Sequence, residues 1–311
     1  MEGMGIGGYI VNRLISIVVT LFLISTLTFF LMHSIPGGPF TQEKNLPALV
    51  EKALMEKYHL NDPLWKQYVD YMKGIVRFDL GPSFKYEGMT VNDLIIKGFP
   101  TSAKVGFLAV LLIVLVGMPL GIIAALKQNR WPDGLVMFIA TLGVAIPSFV
   151  MATILLYVFS LRLGLTPTFG IASWKGYILP VVAVSGFYLS FIARLTRSSL
   201  LEVLQQDYIR TARAKGLSES KVIIKHGLRN ALIPIVTMLG PVVAGMLTGS
   251  FVIEKIFALP GIGKYFVQSI SNRDYTTIMG ITVFYAAFLV LIVFIVDLLY
   301  GLIDPRIRLN K

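Results

Sequence analysis

Six stretches of the chain run long enough without a charged residue to cross a bilayer: residues 14–32, 105–126, 135–161, 176–193, 231–253 and 276–296. About 20 apolar residues in a helix cover about 30 Å of hydrocarbon, so each stretch reads as one membrane span. Between the first two lies the one sizeable polar segment, 34–100. Its pattern is helical. Leu46, Leu49, Val50, Ala53 and Leu54 fall on one face of residues 46–58, and Trp65, Tyr68, Val69, Met72 and Val76 on one face of residues 65–76. Asn61-Asp62-Pro63 separates the two. The segment reads as a small helical cap, although Trp65, Tyr68 and Tyr71 equally suit an aromatic belt at a membrane surface.

Proline and glycine interrupt the spans at Pro119, Pro147, Pro180, Pro234 and Gly240-Pro241. Inside a membrane such breaks persist where neighbouring groups satisfy the freed carbonyls. They fit ordinary kinks in a bundle and also flexure around a translocation path, and the pattern leaves both open.

Composition agrees with the spans. Of 311 residues 55% are hydrophobic and 14% charged, against about 25% charged in soluble domains. The net charge of +11 is of the kind membrane proteins acquire in orienting themselves, so nucleic-acid binding does not follow. No cysteine is present, which removes disulfides, thiolate metal sites and a thiol nucleophile. The first apolar run is longer than a signal-peptide core and no small-residue cleavage site follows it, so it reads as a retained span.

Basic residues gather in particular loops. Lys127 and Arg130 follow the second span. Arg194, Arg197, Arg210, Arg213, Lys215, Lys221, Lys225 and Arg229 follow the fourth, and Arg306, Arg308 and Lys311 end the chain. The positive-inside rule places these and both termini in the cytoplasm. Residues 162–175 and 254–275 face outward, as does the 34–100 segment.

Candidate chemistry is sparse. The sequence has no metalloprotease helix motif, nucleophile elbow or phosphate-binding P-loop. His33, His59 and His226 have no partner at metal-ligand spacing. No span carries a buried acid of the sort an ion relay uses. These absences disfavour an intramembrane enzyme and an ion-coupled carrier or stand-alone channel. They leave active transport dependent on energy from another subunit.

The loop after the fourth span is the most informative stretch. Residues 199–214 read as a cytoplasmic helix that Gly216 breaks with a left-handed or close-packed turn, and Ser218 can cap a second short helix opened by Glu219. Thr211, Ala212 and Ala214 are small enough for close approach, and Arg210, Arg213 and Lys215 supply charge. A docking knob and a solvated topogenic loop both fit.

Arg210-Thr211-Ala212 followed by Gly216 resembles the EAA loop of ABC-importer permeases, with Arg210 in place of Glu and Arg229 where Pro is usual. The run from Tyr208 to Leu217 is the form found in the first permease subunit of peptide importers. Pro36-Gly37-Gly38-Pro39, Lys57 to Pro63, Asp79 to Tyr86, Gly249-Ser250, Glu254, Leu259 to Gly263, Asn272 to Tyr275 and Ile303-Asp304-Pro305 extend the resemblance to B-type oligopeptide permeases over nearly the whole chain. It implies an all-α integral membrane protein with six transmembrane helices. One permease domain (1–311) would carry an extracytoplasmic cap (34–100) and a cytoplasmic coupling loop (194–229). Coupling would fall to Tyr208, Arg210, Thr211, Ala212, Arg213, Lys215, Gly216 and Leu217. The implied partners are a homologous second permease subunit, two cytoplasmic ATPases that bind ATP and Mg, an extracytoplasmic peptide-binding protein, membrane lipid and a peptide substrate. No cofactor, metal or nucleic acid is expected in this chain. The implied setting is a bacterial or archaeal plasma membrane, and dipeptides, nickel chelates or glutathione are alternative cargoes. The hydroxyls of Ser148, Ser185, Ser190, Thr237, Thr248 and Ser250 either line the path or pack helices.

Overall fold

A computed structural model describes residues 6–36 and 48–303. Gly37-Gly38-Pro39, Leu46, Asp304-Pro305 and the basic C-terminal residues lie outside the described residues. The described residues are helical nearly throughout. The helices are α1 (Ile6–Ser34), α2 (Ala48–Lys57), α3 (Leu64–Val76), α4 (Val91–Leu112), α5 (Met118–Leu126), α6 (Trp131–Ala145), α7 (Ser148–Leu155), α8 (Ile178–Leu204), α9 (Asp207–Ala214), α10 (Glu219–Lys221), α11 (Arg229–Leu247), α12 (Phe251–Ile256), α13 (Ile262–Asn272) and α14 (Tyr275–Ile303). Wide π-type turns join α4 to α5 and α10 to α11, and another extends α7 to Arg162.

Five helical stretches are long and apolar enough to cross a membrane: Ile10–Ser34, Val91–Leu126, Trp174–Leu204, Glu219–Ile256 and Tyr275–Leu298. A sixth crossing needs the pair Trp131–Ala145 and Ser148–Arg162, which is bent by 107°. The third span is therefore not the straight run that residues 135–161 predict. Ile146 is extended (φ −87°, ψ 119°), as steric conflict with a following proline demands, and α7 restarts after Pro147. The second span also differs. It begins at Val91 rather than near residue 105, so the last ten residues of the 34–100 segment belong to the spanning helix. Lys97, Pro100 and Lys104 hide this start from a charge-free window. Arg194 and Arg197, expected in a loop, lie on α8.

The described residues fall into two compact units. One takes residues 6–36, 48–102 and 260–291; the other comprises residues 103–259 and 292–303. In the first, α3 packs along α1. The hydroxyls of Thr26 and Tyr68 lie 2.8 Å apart, and Phe29 stacks near Tyr71. The predicted apolar face of α3 is shifted: Tyr68, Tyr71 and Met72 are partly buried, whereas Trp65 and Val76 are exposed. Asp274 is fully buried at the start of α14. Its carboxylate accepts hydrogen bonds from Ser83 Oγ (2.5 Å), Phe84 N (3.2 Å), Thr277 Oγ1 (2.7 Å) and Thr277 N (3.2 Å). One carboxylate thus caps the helix and pins the 79–86 loop. Gly98 admits the backbone of Ile262, to which an added Cβ would come within 2.8 Å.

In the second unit α8 is the centre, with α5, α6, α7 and α11 packed around it. Small residues let backbones approach: a Cβ on Gly106 of α4 would overlap the Met246 carbonyl of α11, the usual economy of membrane helix packing.

Candidate functional site

The knob begins where α8 ends. Residues 199–214 are not one helix: α8 stops at Leu204, Gln206 turns extended (φ −70°, ψ 150°), and α9 starts at Asp207. Ile209 and Val222 are completely buried, Ala212 is nearly so, and Leu204 and Leu217 complete the cluster. Full burial of Ile209 and Val222 contributes roughly 1.5–3 kcal/mol each, enough to hold two short helices that would not persist alone.

The turn closes α9 by a Schellman arrangement. Gly216 N donates to Arg213 O (2.9 Å) and Leu217 N to Ala212 O (3.4 Å), with Gly216 at φ +76°. Leu217 packs against the buried cluster that contains Ala212, the kind of apolar closure that accompanies this motif. Nothing lies within 4 Å of where a Gly216 Cβ would stand. The glycine is thus required by its left-handed backbone, and the close-packed turn considered from sequence is corrected. Ser218 occupies the cap position of α10 without a side-chain cap bond. Instead Arg213 reaches across the turn to Glu219 (Nε to Oε1 2.6 Å, Nη2 to Oε2 3.3 Å). Both groups are exposed, so the pair, which bridges α9 and α10, adds about 1 kcal/mol at most.

The predicted coupling residues divide. Tyr208, Arg210, Thr211, Arg213, Lys215 and Gly216 are exposed, Leu217 is half-buried, and Ala212 belongs to the knob's own core rather than to a contact face. Tyr208 is tied back to α11 by Asn230 Nδ2, which donates to its hydroxyl (2.8 Å). Thr211 Oγ1 donates to Asp207 O (3.0 Å).

The six hydroxyl residues are scattered. Ser185 and Ser190 are buried, the latter directly opposite Gly143, and both sit in helix packing. Ser148 and Thr237 are exposed; Thr248 and Ser250 are half-buried. Thr237 and Thr248 donate to Ile233 O (3.0 Å) and Gly245 O (2.8 Å) of their own helix.

Two features escaped the sequence reading. Asp133, nearly fully buried on α6, accepts from Arg197 Nε (2.6 Å) and Nη2 (2.7 Å), and from the backbone of Asn129 (2.9 Å). A lone acid beside a basic loop was its only local signal. The second is a basin of about 460 Å³ walled by Lys85, Lys97, Lys264, Tyr86, Tyr265 and Gln268. Tyr86 donates to Gln268 Oε1 (2.6 Å), and burial, then Tyr265 and Asp274, push its phenol above the ordinary range. Among the described residues no acid lines the basin.

The chain matches the family described as binding-protein-dependent transport system inner membrane component over residues 117–309, and the N-terminal region model of such membrane components over residues 7–106. It is 52% identical to the dipeptide transport system permease protein DppB of Bacillus subtilis, covering 97% of this chain and 98% of that one. It is 48% identical to the oligopeptide transport system permease protein OppB of Salmonella typhimurium, covering 96% and 99%. Among solved structures, the inward-facing MetNI methionine ABC transporter aligns with a TM-score of 0.57 at 18% identity, over 68% of this chain and 96% of that chain. An amino acid ABC transporter solved with histidines aligns with a TM-score of 0.51 at 18% identity, over 70% and 95%; both likenesses concern the fold.

Proposed function

Since the chain belongs to the binding-protein-dependent transport system inner membrane component family, we propose that it is the permease subunit through which an ABC importer passes peptides inward. It carries no catalytic role. The observation that bears most weight is the basic knob at 207–228, held by a buried apolar cluster and presenting Arg210, Thr211 and Lys215. Such a knob suits a groove on a cytoplasmic ATPase. Two ATPases, which bind ATP and Mg, close on nucleotide and carry the knob with them. The spans of this subunit and of a homologous partner then rock between outward and inward access. The near-full-length likeness to both dipeptide and oligopeptide permeases supports peptide cargo of either length.

The knob faces the cytoplasm of a bacterial or archaeal plasma membrane in this reading. The cap and the 254–275 segment then face outward to the peptide-binding protein. The lysine basin supports that role, because residues 85–97 and 264–272 build it jointly and its charge suits an acidic partner.

Cells lacking only this gene test the proposal. Restoring the chain should restore uptake of a labelled dipeptide, a labelled pentapeptide or both, and inactivating the ATPases should abolish it. Failure to restore either, with normal membrane insertion, would move the cargo to a nickel chelate or glutathione. Persistent uptake without ATPase activity would refute the importer.

A further inference from the structure

We propose that Asn230 is a positioning residue for coupling: with Tyr208 it forms a strut that carries movement of the knob directly into α11. This rests on the importer reading above and names how the knob is joined to a span. The covalent routes out of the knob are soft at both ends. Towards α8, Gln206 turns extended (φ −70°, ψ 150°) before α9 begins. Towards α11, the three residues of α10 lead into the π-turn Val222–Leu228, and the regular ladder resumes only at Arg229. Such turns interrupt the α-helical ladder and are where helices bend. A push delivered along the backbone would be absorbed there.

The side chains bypass the π-turn. Tyr208 is the second residue of α9 and Asn230 the second of α11, and the Asn230 amide donates to the Tyr208 hydroxyl over 2.8 Å. Among the described residues this is the only hydrogen bond between those two helices. The far end of the strut is firmly seated, because Ala231, next to Asn230, is buried in a cluster with Ala125 of α5 and Leu200 of α8. The knob does not need the strut to fold. Its core is Ile209, Ala212 and Val222, closed by Leu204 and Leu217, and Tyr208 lies outside that core, 41% exposed. A contact that adds little to the knob's own packing, yet spans its bendable connection, is placed to transmit movement.

The full importer, assembled with its co-expressed partners, is assayed for peptide uptake and for peptide-stimulated ATPase activity. Asn230→Leu keeps nearly the same size and removes the amide. It should lower uptake and stimulation about two- to ten-fold, the worth of one neutral hydrogen bond. The KM for peptide, the basal ATPase activity, the amount of complex and its melting temperature should stay unchanged. Asn230→Gln keeps an amide on a longer side chain and should retain most of the coupling. Adding Tyr208→Phe to Asn230→Leu should cost nothing further, since both break one contact. Full coupling in Asn230→Leu, or an equal loss in Asn230→Gln, would overturn the proposal. So would losses that multiply in the double variant, because Tyr208 would then act on the ATPase by itself. A melting temperature that falls together with coupling would also overturn it, leaving Asn230 a structural contact. Each of these failures leaves the importer reading standing. An unaltered importer whose ATPase ignores peptide would refute that reading, and the strut with it.

Discussion

Gly216 gives the sharpest test of the knob, because the structure separates two reasons for a glycine. Its φ of +76° is left-handed, and a Cβ there meets nothing within 4 Å. A substitution thus meets backbone strain but no clash. For an ordinary L-residue that strain is about 1–2 kcal/mol, a shift of roughly five- to thirty-fold in the turn's equilibrium. Asparagine tolerates this region and should cost only a fraction of that. A β-branched residue tolerates it worst. The expected order of transport is therefore Gly216→Asn near wild type, Gly216→Ala reduced several-fold and Gly216→Val lowest, at equal membrane levels of protein. Gly216→Asp should also uncouple transport while leaving insertion intact: aspartate tolerates this backbone region much as asparagine does, so the cause is a carboxylate foreign to the basic face. The assay is peptide uptake alongside peptide-stimulated ATPase activity of the assembled importer. Loss of stimulation with basal ATPase intact would locate the defect in coupling. If Asn transports as poorly as Val, the docked partner fills the space beside Gly216 and side-chain size governs. If Ala and Val both match wild type, the rigid turn has no role in coupling.

Two further expectations concern assembly. Asp133→Asn or Arg197→Gln alone should lower folded protein in the membrane, because removing one partner of a fully buried pair costs about 3–5 kcal/mol and this pair, with Asp133 nearly buried and Arg197 partly so, approaches that from below. The double variant should recover much of the loss, and additive losses would show that the two groups act separately. Gly106→Ala should prevent accumulation, since its Cβ would overlap the Met246 carbonyl. Gly186→Ala, with nothing within 4 Å, should be neutral or raise the melting temperature slightly through helix propensity, worth up to about 1 kcal/mol. Equal behaviour of the two alanines in a thermal-shift measurement would contradict the helix contacts described.

The positions of the spans were legible because hydrocarbon thickness imposes a length and excludes charge. What resisted reading is where that rule yields to tertiary contact. α4 continues through Lys97, Pro100 and Lys104 because Gly98 lies against Ile262 and the Lys104 amine stands 4.4 Å from the centre of the Tyr177 ring. Pro147 bends its span by 107°, whereas Pro234 and Pro241 stay inside α11. The residue types are the same, and neighbouring helices decide which freed carbonyls find partners. Ser83 and Asp274 are 191 positions apart, a separation no periodicity bridges. The family resemblance marked both stretches but could not say that one carboxylate joins them.

The knob shows how a motif and its physical reading diverge. Its marked residues serve two ends that a sequence presents alike. Ala212, Gly216 and Leu217 build the turn: the first is buried, the second takes a conformation other residues resist, and the third packs against the buried cluster. Arg210, Thr211 and Lys215 face outward. Arg213 lies between these roles, exposed yet engaged with Glu219. A partner groove can read only the outward group, so substitutions there should alter ATPase affinity without changing the stability of this chain. Substitutions in the building group should change both together.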